Sequence, residues 1–371
     1  MKQRIIILVL LLFVLSAPLA ACSAQKPPEQ TLSGLQDPSL FRQQDRYDFF
    51  LETEDCYYYL YNRKIYFSSK ADLCFYFLCN KPNCPHGGED CNADGGSALG
   101  YWNGHLYSAR LIGTMEPSVI RMDLDGGNHK EIAKIMLPID ENGNEGGSYS
   151  FFFHNGFLYY HVRAAFDSLF CLDLSTGKTE RLFQPLLEEC EIVTQSLLFS
   201  GDDMFFLSKD LPGNRILQRY HLTDKTLTEI SDWPQKYCGT TVEGETIYYY
   251  DNEAGIFYEY DLVTGTTKEC LHVEYYRGTP TYDSDYIYLI TWDYDGTPTD
   301  WPPFRLSIFS RDYQFLGQIN LSLNGEFLYD AEDVLFFTDL QSHKITKFLP
   351  KSSIGSGDLE LLPLPDPYSY R

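Results

Sequence analysis

The chain has 371 residues, of which 44% are hydrophobic and 16% aromatic, and its formal net charge at pH 7 is −23. Such an excess of carboxylates repels phosphate backbones and anionic lipid headgroups, which excludes nucleic-acid binding and electrostatic attraction to a membrane. One repeating pattern occupies about 320 residues, so we expect one large domain rather than two.

Residues 1–21 have the features of an export signal. Two basic residues precede an apolar run from Ile5 to Val14, which is too short for a stable membrane span. The following Leu-Ala-Ala-Cys resembles a bacterial lipobox, and the resemblance implies cleavage before Cys22, a diacylglycerol on its sulfur and anchoring to the outer face of the cell membrane. Cleavage removes the two basic residues and takes the net charge from −23 to −25. The alternative is an ordinary secreted protein.

Residues 22–46 are predicted to be the lipidated cysteine and a flexible tether. The stretch is polar, contains Lys26-Pro27-Pro28 and shows no periodicity. Such a tether would lift the folded part off the bilayer. The folded domain is expected to comprise residues 47–371.

A strand motif recurs along this domain at intervals of 40 to 52 residues. In each copy an aliphatic residue is followed by Tyr or Phe within two positions, and no helical periodicity accompanies it. This period predicts an all-β fold, a β-propeller of four-stranded antiparallel blades. Seven blades are favoured, with six or eight as alternatives. The copies are centred on Ile65, Leu106, Leu158, Met204, Ile247, Ile287 and Val334.

Each copy is interpreted as the second strand of a blade. Tight hairpins are predicted at 125–128, 175–178 and 263–266, where glycine permits a positive φ. The 29 tyrosines and 25 phenylalanines suit strands buried on both faces, so we expect the strand aromatics to pack between blades rather than stack on carbohydrate. Residues 47–51 either complete the last blade or lead into the first.

A cluster of possible metal ligands lies in the first repeat with the spacing C-x4-C-x-H-x4-C, formed by Cys79, Cys84, His86 and Cys91. Three interpretations remain open: a disulfide between two of the cysteines, a structural metal site that suits zinc, and a reactive thiol. Nine cysteines remain once Cys22 is acylated, and an odd number leaves at least one thiol without an intramolecular disulfide partner.

We expect the cluster to replace the hairpin that follows a third strand, LCFYFL. That position would set it at the end of the ring opposite the long loops, which favours a structural role. Cys74 and Cys171 are predicted to lie in third strands as small buried hydrophobes.

Two long connections are candidate binding loops, since binding residues often lie on loops of a rigid scaffold. The loop within the sixth blade suits a sugar or peptide, or its rings fold back onto the loop itself. The connection between the second and third blades has carboxylates spaced as in calcium loops, but the full twelve-residue pattern is lacking. The first loop contains Trp292, Asp293, Asp295, Asp300 and Trp301, and the second contains Asp140, Glu141 and Glu145.

The sequence does not decide whether the protein is an enzyme. It contains neither a G-x-S-x-G elbow nor an H-E-x-x-H helix, and no Ser or Cys stands in a context that marks a nucleophile. These absences favour a binding role, although propeller active sites are assembled from several blades.

The stretch VIRMDLDGGNHKEI resembles the propellers of the TolB and low-density-lipoprotein-receptor type, in which Asp-x-Asp-Gly closes each blade. With its lipobox and the segment LCNKPNCPHGGEDCNA, the whole chain resembles uncharacterised lipoproteins of Gram-positive, clostridial-type anaerobes that carry a propeller domain of unknown function. The chain departs from that type because it keeps the closure clearly only at Asp123–Gly127, and because related propellers are commonly six-bladed. The resemblance implies no established activity.

These features lead to the expectation of a monomeric lipoprotein, anchored at the extracytoplasmic face of the membrane, that binds or scaffolds a protein, peptide or glycan. The alternative is a cell-surface hydrolase or lyase acting on glycans or peptides, with carboxylates such as Asp140 and Asp293 brought together by the ring. A structural or sensory component of an envelope complex is a third possibility.

Overall fold

The structure is a computed structural model. It describes residues 50–86, 91–110, 117–136, 148–163, 168–183, 191–192, 197–209, 215–230, 238–251, 254–273, 281–292, 304–321, 326–339, 344–357 and 359–365. These residues form seven antiparallel sheets, which are the seven blades of a β-propeller.

The strands of the first four blades follow one another in chain order. Blade 1 contains β1 (Phe50–Glu52), β2 (Cys56–Tyr61), β3 (Lys64–Ser69) and β4 (Tyr76–Phe77). Blade 2 contains β5 (Ala98–Trp102), β6 (His105–Arg110), β7 (Ser118–Met122) and β8 (Lys130–Lys134). Blade 3 contains β9 (Ser148–His154), β10 (Phe157–Arg163), β11 (Ser168–Asp173) and β12 (Thr179–Phe183). Blade 4 contains β13 (Glu191–Ile192), β14 (Leu198–Ser200), β15 (Asp203–Lys209), β16 (Arg215–His221) and β17 (Thr226–Ile230).

The remaining three blades have the same order. Blade 5 contains β18 (Cys238–Glu243), β19 (Thr246–Asp251), β20 (Ile256–Asp261) and β21 (Thr266–His272). Blade 6 contains β22 (Thr281–Tyr282), β23 (Tyr286–Trp292), β24 (Phe304–Ser310) and β25 (Phe315–Asn320). Blade 7 contains β26 (Glu326–Asp330), β27 (Val334–Asp339), β28 (Ile345–Pro350) and β29 (Leu362–Pro363).

Each blade runs from its first to its fourth strand in chain order, with antiparallel pairing between neighbours. Blade 4 differs from the others in its first strand, which is divided into β13 and β14; both segments pair with β15. The predicted seven-bladed, all-β architecture is therefore confirmed. Within the described ranges the helical structure is a single 3₁₀ turn, Lys351–Ser353, and no helix there is long and apolar enough to cross a membrane.

The hydrophobic core consists of seven clusters, one at each joint between neighbouring blades. Successive strand residues point to opposite faces of a sheet, so consecutive aromatics serve both neighbours. Tyr248, for example, packs against blade 6, whereas Tyr249 packs against blade 4. Burying one such side chain stabilises the fold by about 1.5–3 kcal/mol, more than an exposed ion pair contributes. The expectation that the strand aromatics are core residues is confirmed.

The predicted hairpins between third and fourth strands are present, with positive φ at Gly126, Gly177 and Gly265. The first two also lie against the outer part of the preceding blade. A Cβ on Gly126 would lie 2.6 Å from the carbonyl oxygen of Leu78, and one on Gly177 would lie 2.6 Å from that of Ile132. Glycine is thus required at both positions for the turn and for the close approach of the two blades.

The ring closes by packing between the first and last blades. Phe50 to Glu52 pair with β2, so this segment begins blade 1, which answers the question that the sequence left open. Phe50 stacks on Tyr329 of blade 7 with ring centroids 5.2 Å apart. Lys70 Nζ bridges Glu52 of blade 1, at 2.7 Å, and Glu332 of blade 7, at 3.2 Å.

One strand assignment in the first repeat was wrong. The motif around Ile65 is β3, the third strand of its blade, and the second strand is β2, with the sequence CYYYLY. LCFYFL contains only the short fourth strand β4, not the third strand. Cys171 lies in a third strand as predicted, but Cys74 lies between β3 and β4; both are buried.

Candidate metal centre

The segment that carries the Cys/His cluster joins blade 1 to blade 2. β4 has only two residues, whereas the outer strands of five of the other six blades have five or more. The chain leaves the ladder at Leu78. Leu78 N–H still donates to Ile65 O at 2.9 Å, and the segment returns to the same strand, where Ile65 N–H donates to Ala93 O at 2.8 Å. The cluster therefore lies in the connection between blades 1 and 2, not in a hairpin between a third and a fourth strand, so the predicted position opposite the long loops is wrong.

The structure brings the four predicted ligands together. The ligand atoms of Cys79, Cys84, His86 and Cys91 all lie within 4.8 Å of one another, and Cys91 is buried. The contact between His86 Nδ1 and Cys91 Sγ is 3.4 Å. A tetrahedral ion with metal–sulfur bonds of about 2.3 Å separates its ligand atoms by roughly 3.5–3.8 Å, so small movements suffice to surround an ion. The cluster could hold a metal ion.

Local backbone and ring contacts position His86. Its φ is 55°, which belongs to the left-handed region that single turn residues occupy. Its imidazole stacks on Phe77, the last residue of β4, with centroids 4.5 Å apart and an angle of 18° between the planes. The ring is thereby held with Nδ1 towards the sulfurs.

The surroundings shift the pKa values of the Cys79 and Cys91 thiols in opposite directions. Partial burial would raise the pKa of Cys79, but the backbone N–H groups of Lys81 and Asn92 donate to its sulfur and, with the neighbouring thiols, hold that pKa below its ordinary value. Burial raises the pKa of Cys91 to about 12, although the Ala93 N–H donates to its sulfur at 3.4 Å. A bound cation would favour the deprotonated form of every coordinating thiol.

No disulfide joins these residues in the structure. Cys79, Cys84 and Cys91 are free, and so are Cys56, Cys74, Cys171 and Cys270. The geometry thus agrees with a metal site or with free thiols, and it does not show the disulfide.

Contacts that the spacing could not reveal attach the cluster to blade 2. Asn92 Nδ2 donates to Asn80 Oδ1 at 2.8 Å, and Asn80 Nδ2 donates to Asp125 Oδ2 at 3.0 Å. His129 Nε2 lies 3.2 Å from Asn92 O. Asp125 and His129 belong to the hairpin between β7 and β8, so their closeness to the cluster depends on how two blades pack, for which the sequence has no local signal.

Only one of the other predicted binding residues falls within the described residues. Trp292 ends β23 and pairs with Phe304, the first residue of β24, so the loop at 293–303 does join a second to a third strand as predicted. The connection at 137–147 lies between blades 2 and 3, also as predicted. Eight predicted site residues lie outside the described residues: Cys22, Asp140, Glu141, Glu145, Asp293, Asp295, Asp300 and Trp301.

No known family model matches the chain, and no curated protein matches it significantly. Solved structures are similar in fold. A prolyl endopeptidase structure is 14% identical to this chain. The alignment covers 88% of this chain and 51% of the endopeptidase chain, with a TM-score of 0.56. PorZ, an essential surface component of the type-IX secretion system of Porphyromonas gingivalis, is 10% identical over 88% of this chain and 39% of its own, with a TM-score of 0.50.

TolB from Acinetobacter baumannii is also among the similar structures, at 16% identity over 79% of this chain and 76% of its own, but its TM-score is 0.38. The chain spans about two-fifths of PorZ and half of the prolyl endopeptidase. At these identities the similarity shows the fold alone. The chain is a seven-bladed β-propeller whose first interblade connection could hold a metal ion.

Proposed function

We propose that the protein is a lipoprotein of the extracytoplasmic membrane face whose propeller binds a protein, peptide or glycan partner. One structural observation carries the binding role: antiparallel strands alternate in direction, so the loop at 293–303 and the connection at 137–147 leave their blades at the same end of the ring. The strand ends that these two long connections join thus lie on one face of the propeller, and binding residues often concentrate on loops of one scaffold face.

The lipid anchor is supported by the order of sequence features: a short apolar export signal, Leu-Ala-Ala-Cys, and a polar tether before the first blade at Phe50. Labelling of the full chain in a bacterial host with an alkyne-bearing fatty acid tests it. We expect label and detergent-phase partitioning in wild type and in the control Cys270→Ser, and neither in Cys22→Ala. Equal labelling of Cys22→Ala would refute the anchor.

Partner binding can be tested with the mature chain on an array of cell-wall glycan fragments and peptides. Trp301→Ala should lose binding, whereas Val263→Ala, which removes an exposed side chain from a hairpin between third and fourth strands, should keep it. Turnover of an array component by wild type would favour the hydrolase alternative, a class of function that prolyl endopeptidases of similar fold perform. Equal binding by both variants would refute the assignment of the face.

We further propose that the ion at Cys79, Cys84, His86 and Cys91 is a structural zinc. Three sulfurs and one imidazole nitrogen are a common ligand set for closed zinc sites, and four protein ligands leave no open position for catalysis. Substitution with cobalt(II) tests it, since tetrahedral cobalt–thiolate centres have characteristic visible and charge-transfer bands. The bands should appear in wild type and in Cys171→Ser and be lost or shifted in Cys84→Ser; their absence from wild type would refute the site.

A further inference from the structure

Asn92 forms hydrogen bonds through its side-chain amide and its backbone carbonyl at the boundary between the Cys/His cluster and blade 2. Its side-chain NH₂ donates to Asn80 Oδ1 at 2.8 Å, and its backbone carbonyl oxygen lies 3.2 Å from His129 Nε2. Asn92 is buried, with 9% of its surface exposed. A buried amide with this many partners is held in one orientation.

Two arms of hydrogen bonds, one through Asn80 and one through His129, run from Asn92 to the hairpin of blade 2. In the first arm Asn80 Nδ2 donates to Asp125 Oδ2 at 3.0 Å, while Asp125 Oδ1 accepts the N–H of Gly127 at 2.8 Å. The Asp125 carboxylate therefore links the Cys/His cluster to the β7–β8 turn.

The other arm is the His129 ring. Arg110 donates to His129 Nδ1 at 3.1 Å, so Nδ1 is the acceptor and Nε2 carries the hydrogen that Asn92 O accepts. Burial and then the positive charge of Arg110 lower the pKa of His129, which favours this neutral tautomer.

These arms compensate for the missing length of β4. A complete outer strand would fix its residues by ladder hydrogen bonds, but β4 makes only the pairs Tyr66–Phe77 and Phe67–Tyr76. The ligand segment beyond it is instead fixed by the return to β3 and by Asn92. Partners of this kind orient metal ligands, and their loss typically weakens metal binding by about 10–100-fold.

We propose that Asn92 is a positioning residue of the metal centre. Its side chain ties the backbone next to Cys91 to Asn80, the residue next to Cys79, and docks the loaded site on blade 2 through Asn80 and Asp125. This inference rests on the proposed zinc site. The metal centre would then connect blade 1, whose outer strand β4 is short, to blade 2, and metal loading would be coupled to the docking of the hairpin of blade 2.

The test measures zinc affinity of the full-length chain by competition with a chromophoric chelator. Asn92→Ala and Asp125→Asn should each weaken zinc binding by at least about tenfold. Asp125→Asn keeps an oxygen for the Gly127 N–H but places an amide NH₂ opposite that of Asn80. The matched control is Asp173→Asn in the equivalent hairpin of blade 3, where the carboxylate accepts N–H groups of Ser175 and Thr176; it should stay within about twofold of wild type.

A second readout separates positioning from general stability. The cobalt charge-transfer band should shift or weaken in Asn92→Ala while the circular dichroism of the β-sheets stays unchanged. Wild-type affinity and an unchanged cobalt spectrum in both Asn92→Ala and Asp125→Asn would overturn the inference and leave the zinc site intact. If wild type bound no zinc, the proposed site itself would fail and the inference with it. If Asn92→Ala did not fold, Asp125→Asn, which replaces a half-buried side chain isosterically, would still decide the outcome.

Discussion

Lys351 Nζ of blade 7 lies 2.6 Å from Asp283 Oδ2 of blade 6, and both side chains are almost completely buried. The same ammonium lies 2.7 Å from Asp330 Oδ1, and the hydroxyl of Tyr288 donates to Asp283. Two carboxylates and one ammonium, all largely buried, thus join the last two blades. Such a network is costly to assemble but far more costly to break, because removing one partner leaves a buried charge without compensation.

Lys351→Met should destabilise the protein by about 3–5 kcal/mol, since it leaves Asp283 and Asp330 facing each other in a buried site. Lys268→Met is the matched control, because Lys268 pairs with Glu259 at 2.9 Å but is 66% exposed. Lys268→Met should lower the free energy of unfolding by less than about 1 kcal/mol. Denaturant unfolding at neutral pH checks both values, and equal effects of the two variants would show that the network contributes no more than a surface pair.

Asp283 should also contribute to the acid sensitivity of the fold. Burial would raise its pKa, but the charge of Lys351 and the hydrogen bonds from Lys351 and Tyr288 hold the pKa below its ordinary value. A carboxyl with a depressed pKa in the folded state stabilises the fold fully above its unfolded pKa of about 3.9, and that stability is lost as pH falls through the folded value.

Asp283→Asn should therefore show a shallower loss of unfolding free energy than wild type as pH is lowered below about 4. At neutral pH the variant should already be less stable, because the ammonium of Lys351 loses one of its two carboxylates. Parallel pH profiles for wild type and variant would contradict the account of the Asp283 pKa.

Gly100 of β5 makes room for an aromatic ring of the next blade. A Cβ at this position would lie 2.2 Å from Cγ of Phe153, and this ring packs in the cluster between blades 2 and 3. Gly100→Ala should cost about 1–3 kcal/mol by overpacking. The double variant Gly100→Ala/Phe153→Leu should lose less than the sum of the single losses, because a smaller side chain accepts the new methyl group. Additive losses, measured by thermal or denaturant unfolding, would mean that the two residues do not interfere.

Phe336 should be a major determinant of ring closure. It is fully buried in blade 7, and its ring centroid lies 5.0 Å from that of Tyr57 and 5.6 Å from that of Phe50, both in blade 1. Phe336→Ala should destabilise the protein by about 3–5 kcal/mol and increase amide hydrogen exchange in β1 and β26 before that of the middle blades. Phe315→Ala, at an exposed position of blade 6, should change stability by no more than about 0.5 kcal/mol. Uniform hydrogen exchange across all blades of Phe336→Ala would contradict the prediction that the joint between blades 1 and 7 opens first.

The sequence predicted the ring well because every second strand buries both faces, which produces the same aliphatic–aromatic pattern in each blade. It failed in blade 1 for a physical reason. In blades 2 and 3 an Asn-Gly turn precedes the second strand, whereas in blade 1 the similar turn Asn62-Arg63, with φ of 48° and 61°, precedes the third strand. Both strands beside it are buried and aromatic, so periodicity could not distinguish them.

The four ligands could be predicted because they lie within thirteen residues of sequence. The residues that contact the cluster from blade 2 could not be predicted from the sequence. Asn80 and Asp125 are 45 residues apart, and they meet because the hairpin of one blade packs on the outer part of the preceding blade. No local pattern encodes that contact. The buried partners Asp283 and Lys351, which are 68 residues apart in sequence, became apparent only in the structure for the same reason.

The most direct test of the proposed metal centre is the zinc content of the full-length chain, purified without chelator, combined with titration of its accessible thiols. The account predicts one zinc per chain, lost in Cys84→Ser and retained in Cys171→Ser, with Cys79, Cys84 and Cys91 protected from alkylation until the metal is removed. A chain without metal, in which two of these thiols react only after a reductant is added, would contradict the account and identify the cluster as a disulfide.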